Sequence, residues 1–385
     1  MVKKLVTILL LLPVCIRAQQ LSQQAFISVI TCGPGQTELY SAFGHSAFRV
    51  HDPVLGIDYA YNYGVFDFSQ PNFYLNFARG HNFYKLAVQD YRQFEYFYRY
   101  FNRYVHEQVL DLTQHQKQRL FDFLQWNALP ENRSYRYDYF YDNCATKIPV
   151  VLKQLFGDSL QFTYPHITTA YSFRQLTDFY LKYQPWGDLG IDLCLGLPMD
   201  KKATPFEYMF LPDYVEAGMD YALLNGRPLV KQKNIVYQPV PEEYSTGWLT
   251  PFNVFILFSV ITLALSIYDW QRKKISYAFD RLLFGITGLI GIILLLLWTA
   301  TDHRAAAWNF NLLWAVPLHF PVVFIIKKTA KWIIFYFKII TVILLLLLTL
   351  WVWLPQQLHF ALIPVVLSLL MRSWIHVQLR PKQII

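Results

Sequence analysis

Two short stretches hold the residue types that nucleophilic catalysis needs. In "YDNCATKIPVVLKQLFG", Cys144 directly follows Asp142 and Asn143, which are capping residues at the start of an amphipathic run. A thiol at a helix N-terminus sits beside unpaired backbone N–H groups and the positive end of the helix dipole. Both stabilise the thiolate, the nucleophilic form. A cysteine nucleophile also needs a base. Of the ten histidines, His45 is distinguished in "SAFGHSAFRV" because Gly44 allows a tight turn just before a strand. His51, His81, His106 and His115 have plainer surroundings, and a lone histidine beside a strand is more often structural than catalytic. "GHSAF" lacks the second glycine of a serine nucleophile elbow, and no His/Cys/Asp group has zinc-ligand spacing. No cofactor or metal is therefore expected.

The elements that must position these residues follow from periodicity. "AFISVITCG" and "GHSAFRVHD" read as strands, and after the turn "DPVLG" the segment "IDYAYNYGVF" reads as a strand pairing back. "DLTQHQKQRLFDFLQWNAL" is a helix with Thr113 as N-cap, and "NCATKIPVVLKQLFG" is a second one that Gly157 ends. "YRQFEYFYRYFNRYV" holds eight Phe or Tyr residues between positions 91 and 104. It reads as an amphipathic helix with an aromatic face, either packed in the core or lying at a membrane interface.

The compartment is written at both ends of the chain. Lys3 and Lys4, the apolar run Leu5–Leu12 and Ala18 form a secretory signal peptide, residues 1–18. From Phe252 the composition turns apolar, and spanning helices are expected at roughly 250–268, 282–300, 311–326, 333–353 and 357–372. Arg272, Lys273, Lys274, Lys327, Lys328, Lys331 and the tail residues Arg372, Arg380 and Lys382 alternate with loops poor in basic residues. The basic loops are cytoplasmic by the positive-inside rule, so the N-terminal part is periplasmic. Much of the formal charge of +8 thus reports topology, and a nucleic-acid partner is not expected. The expected division is 1–18 signal peptide, 19–247 periplasmic domain and 248–385 transmembrane helical domain, in the inner membrane. Once the signal is removed Cys32, Cys144 and Cys194 remain, so at least one thiol is unpaired, and a Cys32–Cys194 disulfide is one arrangement.

"LYSAFGHSAFRVHD", "YAYNYGVFDF", "YRYDYFYDNCATKI" and "TATDHRAAAWNFNLLWAVPL" together resemble the Bacteroidota lipoprotein N-acyltransferase (Lnb) family across most of the chain. Where "NCATRIR" is expected this chain has "NCATKIP", so Lys147 stands for an arginine and Pro149 falls within the helix's first turns. The order of His before Cys also resembles circularly permuted NlpC/P60-like, papain-like proteins. The resemblance implies an α+β papain-like exported domain followed by an all-α bundle of about five transmembrane helices. It implies Cys144 as nucleophile, His45 as base, and a polar residue on the next strand orienting the imidazole. Asn62 is the choice for that role, with Asp58 and Asp67 as rivals. The implied activity is acyl transfer from a phospholipid, through a Cys144 thioester, to the α-amine of a diacylated lipoprotein. A phospholipase or thioesterase, a cell-wall peptidase or amidase, and a non-catalytic scaffold are the alternatives. Asp302, His303, Asn309 and Asn311 are expected in an external loop, either solvated or acting as a lid or head-group contact.

Overall fold

The computed structural model describes residues 19–66, 71–81, 83–328 and 330–380; the signal peptide and Asp67 lie outside them. In the exported part the chain runs β1 (Phe26–Cys32), β2 (His45–Asp52), β3 (Ile57–Phe66), α1 (Phe73–Arg79), β4 (Phe83–Asp90), α2 (Tyr91–Tyr100), β5 (Val105–Leu110), α3 (Gln114–Ala128), β6 (Ser134–Arg136) and α4 (Cys144–Phe156). There follow β7 (Leu160–Phe162), α5 (Phe173–Leu181), α6 (Pro185–Cys194), α7 (Pro212–Asp220), β8 (Ala222–Leu224), β9 (Arg227–Pro228) and β10 (Val230–Tyr237). Seven strands form one antiparallel sheet in the order β10-β5-β1-β2-β3-β4-β6.

The period-two alternation of the strands decides what each face meets. Ile27, Val29, Phe48, Val50, Tyr61 and Tyr63 point into a core shared with α3, α4 and α7. Ile30, Cys32, Ala47 and Ala60 point the other way, against Tyr91, Phe94 and Tyr98 of α2. The aromatic helix thus packs by one face, and Tyr96, Phe97, Tyr100 and Phe101 on its other side stay exposed. Reciprocal side-chain caps start the two helices foreseen above: Thr113 with Gln116 for α3, and Asn143 with Thr146 for α4. Pro149 removes one backbone donor, yet α4 continues through it because its apolar face is buried.

The C-terminal part contains α8 (Pro251–Arg272), α9 (Tyr277–Thr299), α10 (His319–Ile325), α11 (Lys331–Thr349) and α12 (Ile363–Leu379). Among the described residues four helices are long and apolar enough to cross a membrane, and α10 is not one of them. The expected helical span 311–326 is instead a broken passage. Pro317 has no N–H to donate and restricts the residue before it, so the chain makes a 3-10 turn at Phe310–Leu313 and becomes α-helical only at His319. The passage still runs antiparallel along α9. Gly291 faces Ala315, Gly288 faces His319 and Phe320, and the Val323 carbonyl accepts from Arg281 Nε at 3.2 Å. α12 extends past the expected end at residue 372, because Arg372 is buried against Asp280 at 2.6 Å and Asp269 at 2.7 Å. A charge that is paired in this way can lie inside a helical bundle.

The external loop is solvated only in part: Asp302 is half-exposed, while the loop's C-terminal portion is packed down. Asn309 and Asn311 are buried and donate to the carbonyls of Leu193 and Asp192 in α6. Gln356, from the next external turn, donates to the Leu195 carbonyl at 3.0 Å. These bonds dock the sheet domain on the bundle.

Candidate active site

At one end of β2 and β3 the ladder stops early. Pairing runs from Asp52↔Ile57 to Phe48↔Tyr61, and His45 to Ala47 do not pair with Asn62 to Gly64. On the other side of β3 a bulge falls between Asn62 and Val65. Gly64 lies in that bulge with φ +82, a conformation that favours glycine. A Cβ on Gly64 would stand 3.3 Å from Cys144 Cβ. The missing side chain is therefore what lets the N-terminus of α4 come up to the sheet.

Cys144 is the first residue of α4, and its position is set by Asn143. The Asn143 side chain accepts from the Ala145 and Thr146 N–H groups at 2.8 Å each, and donates to the Tyr139 and Phe210 carbonyls at 2.7 and 2.8 Å. Lys147, at the position where arginine was expected, pairs with Asp142 at 2.6 Å.

His45 and Asn62 share the sheet face that α2 covers, as their positions in the alternation require. His45 Nε2 lies 2.6 Å from Asn62 Oδ1. An amide oxygen only accepts, so Nε2 carries the proton and the other ring nitrogen is left for the neighbouring Cys144 thiol. The imidazole stacks on Tyr98, with centroids 6.1 Å apart and planes at 15°.

The electrostatics follow from this contact. Burial pushes the Cys144 thiol up, but the His45 imidazolium acts against it by charge and hydrogen bond, helped by the Ser46 and Ala145 N–H groups. The result lies below the ordinary thiol range. For His45 burial disfavours the charged ring, yet the Cys144 thiolate and the Asn62 bond raise its pKa above the ordinary value. The two groups together favour a thiolate–imidazolium pair.

The rivals among the described residues lie elsewhere. Asp58 is bound to Arg49 at 2.7 Å and faces His51 at 3.5 Å, toward the far end of the strand. His106 pairs with Glu216 at 3.0 Å and His81 with Asp302 at 3.0 Å. Cys32 is buried, Cys194 is exposed, and all three described cysteines are free, so the Cys32–Cys194 bridge does not form.

Some contributors escaped the sequence reading. Gly64 had a signal, since a glycine inside a strand suggests a bulge or a close approach. Tyr98 and Tyr137 had none, being two tyrosines among 27. Tyr137 stacks on Tyr84 at 4.0 Å and touches the Gly64 position. Its neighbour Arg136 pairs with Asp302, whose N–H donates to the Arg79 carbonyl at 2.9 Å. The wall beside Cys144 is thereby tied to the external end of α9, and exposed Tyr74, Leu75 and Phe77 of α1 lie next to that tie.

No curated protein and no solved structure matches the chain. Two family models do. One, described as the Lnb N-terminal periplasmic domain, matches residues 17–177, and one described as the Lnb transmembrane domain matches residues 242–383. The first spans β1 to α5, including Cys144, His45 and Asn62, and the second spans α8 to α12. With both models matched in order along one polypeptide, the chain belongs to the Lnb family as a membrane protein with a periplasmic N-terminal domain.

Proposed function

We propose that the protein is a thiol-dependent lipoprotein N-acyltransferase, with Cys144 as nucleophile, His45 as general base and Asn62 as the residue that orients the imidazole. The observation that carries this reading is Cys144 at a helix N-terminus beside His45, whose Nε2 lies 2.6 Å from Asn62 Oδ1, in a domain docked on a membrane bundle. The order of histidine strand, polar strand and cysteine helix also fits a permuted papain-like domain. On this reading residues 19–247 form the catalytic unit and 248–385 the membrane unit.

The steps follow from the groups present. His45 takes the Cys144 proton, and the thiolate attacks an ester carbonyl of a phospholipid. The Cys144 N–H and a neighbouring donor stabilise the tetrahedral oxyanion. Collapse breaks the acyl–oxygen bond, His45 returns the proton to the leaving lysophospholipid alcohol, and an acyl thioester remains. The α-amine of a diacylglyceryl-cysteine then attacks the thioester. The thiolate leaves, His45 removes the amine proton, and an amide is formed. Both substrates reside in the outer leaflet, which accounts for joining such a site to membrane helices.

The deciding experiment supplies purified protein in lipid with a labelled donor and a diacylated lipopeptide bearing a free α-amine. The expected result is N-acylated product and transient label on Cys144, both lost in Cys144→Ser while the protein stays membrane-inserted. With the α-amine blocked, acyl-enzyme should accumulate. Fatty acid released equally fast with and without acceptor, and no N-acyl product, identifies a lipase and refutes the reading.

A further inference from the structure

The segment Phe101–Tyr104 carries the chain from α2 into β5, and it places Arg103 beneath the loop that connects β1 to His45. Arg103 is 7% exposed. Its Nε donates to the Gly33 carbonyl at 2.6 Å, and Cδ lies against the Gly35 position. The guanidinium carbon is 4.8 Å from the centroid of Tyr98, the ring on which His45 stacks. One tyrosine therefore touches both the guanidinium and the imidazole.

The charge of Arg103 is uncompensated. Elsewhere in the exported domain Arg49 is paired with Asp58 and Glu107, and Arg174 with Asp192 and Asp200. Arg103 has no carboxylate partner among the described residues, and its Nη2 is closed off from solvent with no hydrogen-bond partner. Taking a charge out of water is costly unless an opposite charge or a full set of acceptors meets it. Here one carbonyl and one aromatic face meet it, and its field works against protonation of His45. An anion bound at this point would supply the absent partner, one aromatic ring away from His45.

We propose that Arg103 is the anion-binding residue of the acyl-donor site, holding the phosphodiester of a glycerophospholipid while its ester carbonyl meets Cys144. This rests on the acyl-enzyme reading above and adds to it a basis for selecting donors. The planar fork of a guanidinium matches two phosphate oxygens, and in a dry site the contact is strong. A neutral diacylglycerol offers the same ester but leaves the guanidinium unpaired, so it is the poorer donor.

The test uses full-length wild type, Arg103→Met and Arg103→Lys in detergent micelles. Each is given dihexanoyl-phosphatidylethanolamine or dihexanoylglycerol, and Cys144 acylation is followed by intact mass. Wild type should prefer the phospholipid. Loss of a charge-assisted contact should lower the ratio of phospholipid to neutral-donor rates in Arg103→Met by about 10- to 100-fold, whatever change common to both donors follows from removing its field at His45. Arg103→Lys should keep part of the preference. An equal fall on both donors, or a preference retained by Arg103→Met, overturns the proposal. A second measurement needs no acyl transfer: glycerophosphoethanolamine should slow iodoacetamide labelling of Cys144 in wild type and not in Arg103→Met. If neither donor acylates wild type but this protection is seen, the acyl-enzyme reading fails and the anion site stands. If wild type is not protected, or Arg103→Met is protected equally, the anion site is refuted.

Discussion

Gly64→Ala separates two effects that a glycine near a nucleophile can have. Gly64 has φ +82, and Gly56, in the β2–β3 turn, has φ +65. An alanine at either position strains the backbone by about 1–2 kcal/mol, so both variants should lose stability to a similar extent. Their surroundings differ. A Cβ on Gly56 meets nothing within 4 Å, whereas on Gly64 it stands 3.3 Å from Cys144 Cβ and 3.7 Å from Tyr137 Cε2. Relief of a few tenths of an ångström must come from one of these neighbours. Tyr137 is stacked on Tyr84, and Cys144 is held by the four hydrogen bonds of the Asn143 side chain. Neither yields freely, so the thiol and the His45 ring should lose register. Because a misplacement of 1 Å costs roughly 100-fold in rate, a drop of about tenfold is the expected scale for this smaller shift. Thermal melts would measure the strain, and iodoacetamide labelling of Cys144 together with acyl transfer would measure the register. Wild-type reactivity in Gly64→Ala, or an equal loss in Gly56→Ala, would refute the reasoning.

His45→Ala removes the imidazolium that lowers the Cys144 pKa and leaves the burial that raises it, so the inflection of labelling rate against pH should move upward. At neutral pH the transfer rate should fall by about 100-fold or more, and an unmoved inflection would sink the ion-pair description. Asn62→Ala removes the acceptor 2.6 Å from Nε2. It should cost about five- to tenfold, the scale of one net hydrogen bond, whereas a silent Asn62→Ala beside a severe Asp67→Ala would assign the orienting role to Asp67. Reporter fusions after Lys274 and after Ile385 should both read cytoplasmic, the outcome that five crossings, the broken passage included, require; a periplasmic reading at Ile385 would mean that only the four long helices cross.

The elements of the site were legible in the sequence because their signals are local. Thr113 and Asn143 cap their helices through bonds spanning three residues, alternation sets the two faces of β2 and β3, and a run without charges marks each long helix. A capped cysteine and a glycine-flanked histidine could be singled out on the same terms. Their meeting could not be derived from composition or spacing, since it joins residues 45, 62 and 144 through the early end of one ladder and a bulge in the next. The broken third passage depends on the backbone of Ala315 to Phe320 lying against glycines of α9, although Pro317 stood in plain sight. Asn309 and Asn311 looked like loop polarity, and became docking bonds only because α6 presents carbonyls to them. Arg103 illustrates the limit most sharply. Its charge is evident from its residue type, but whether a carboxylate meets that charge depends on every other chain segment folded around it, and only the tertiary structure decides that.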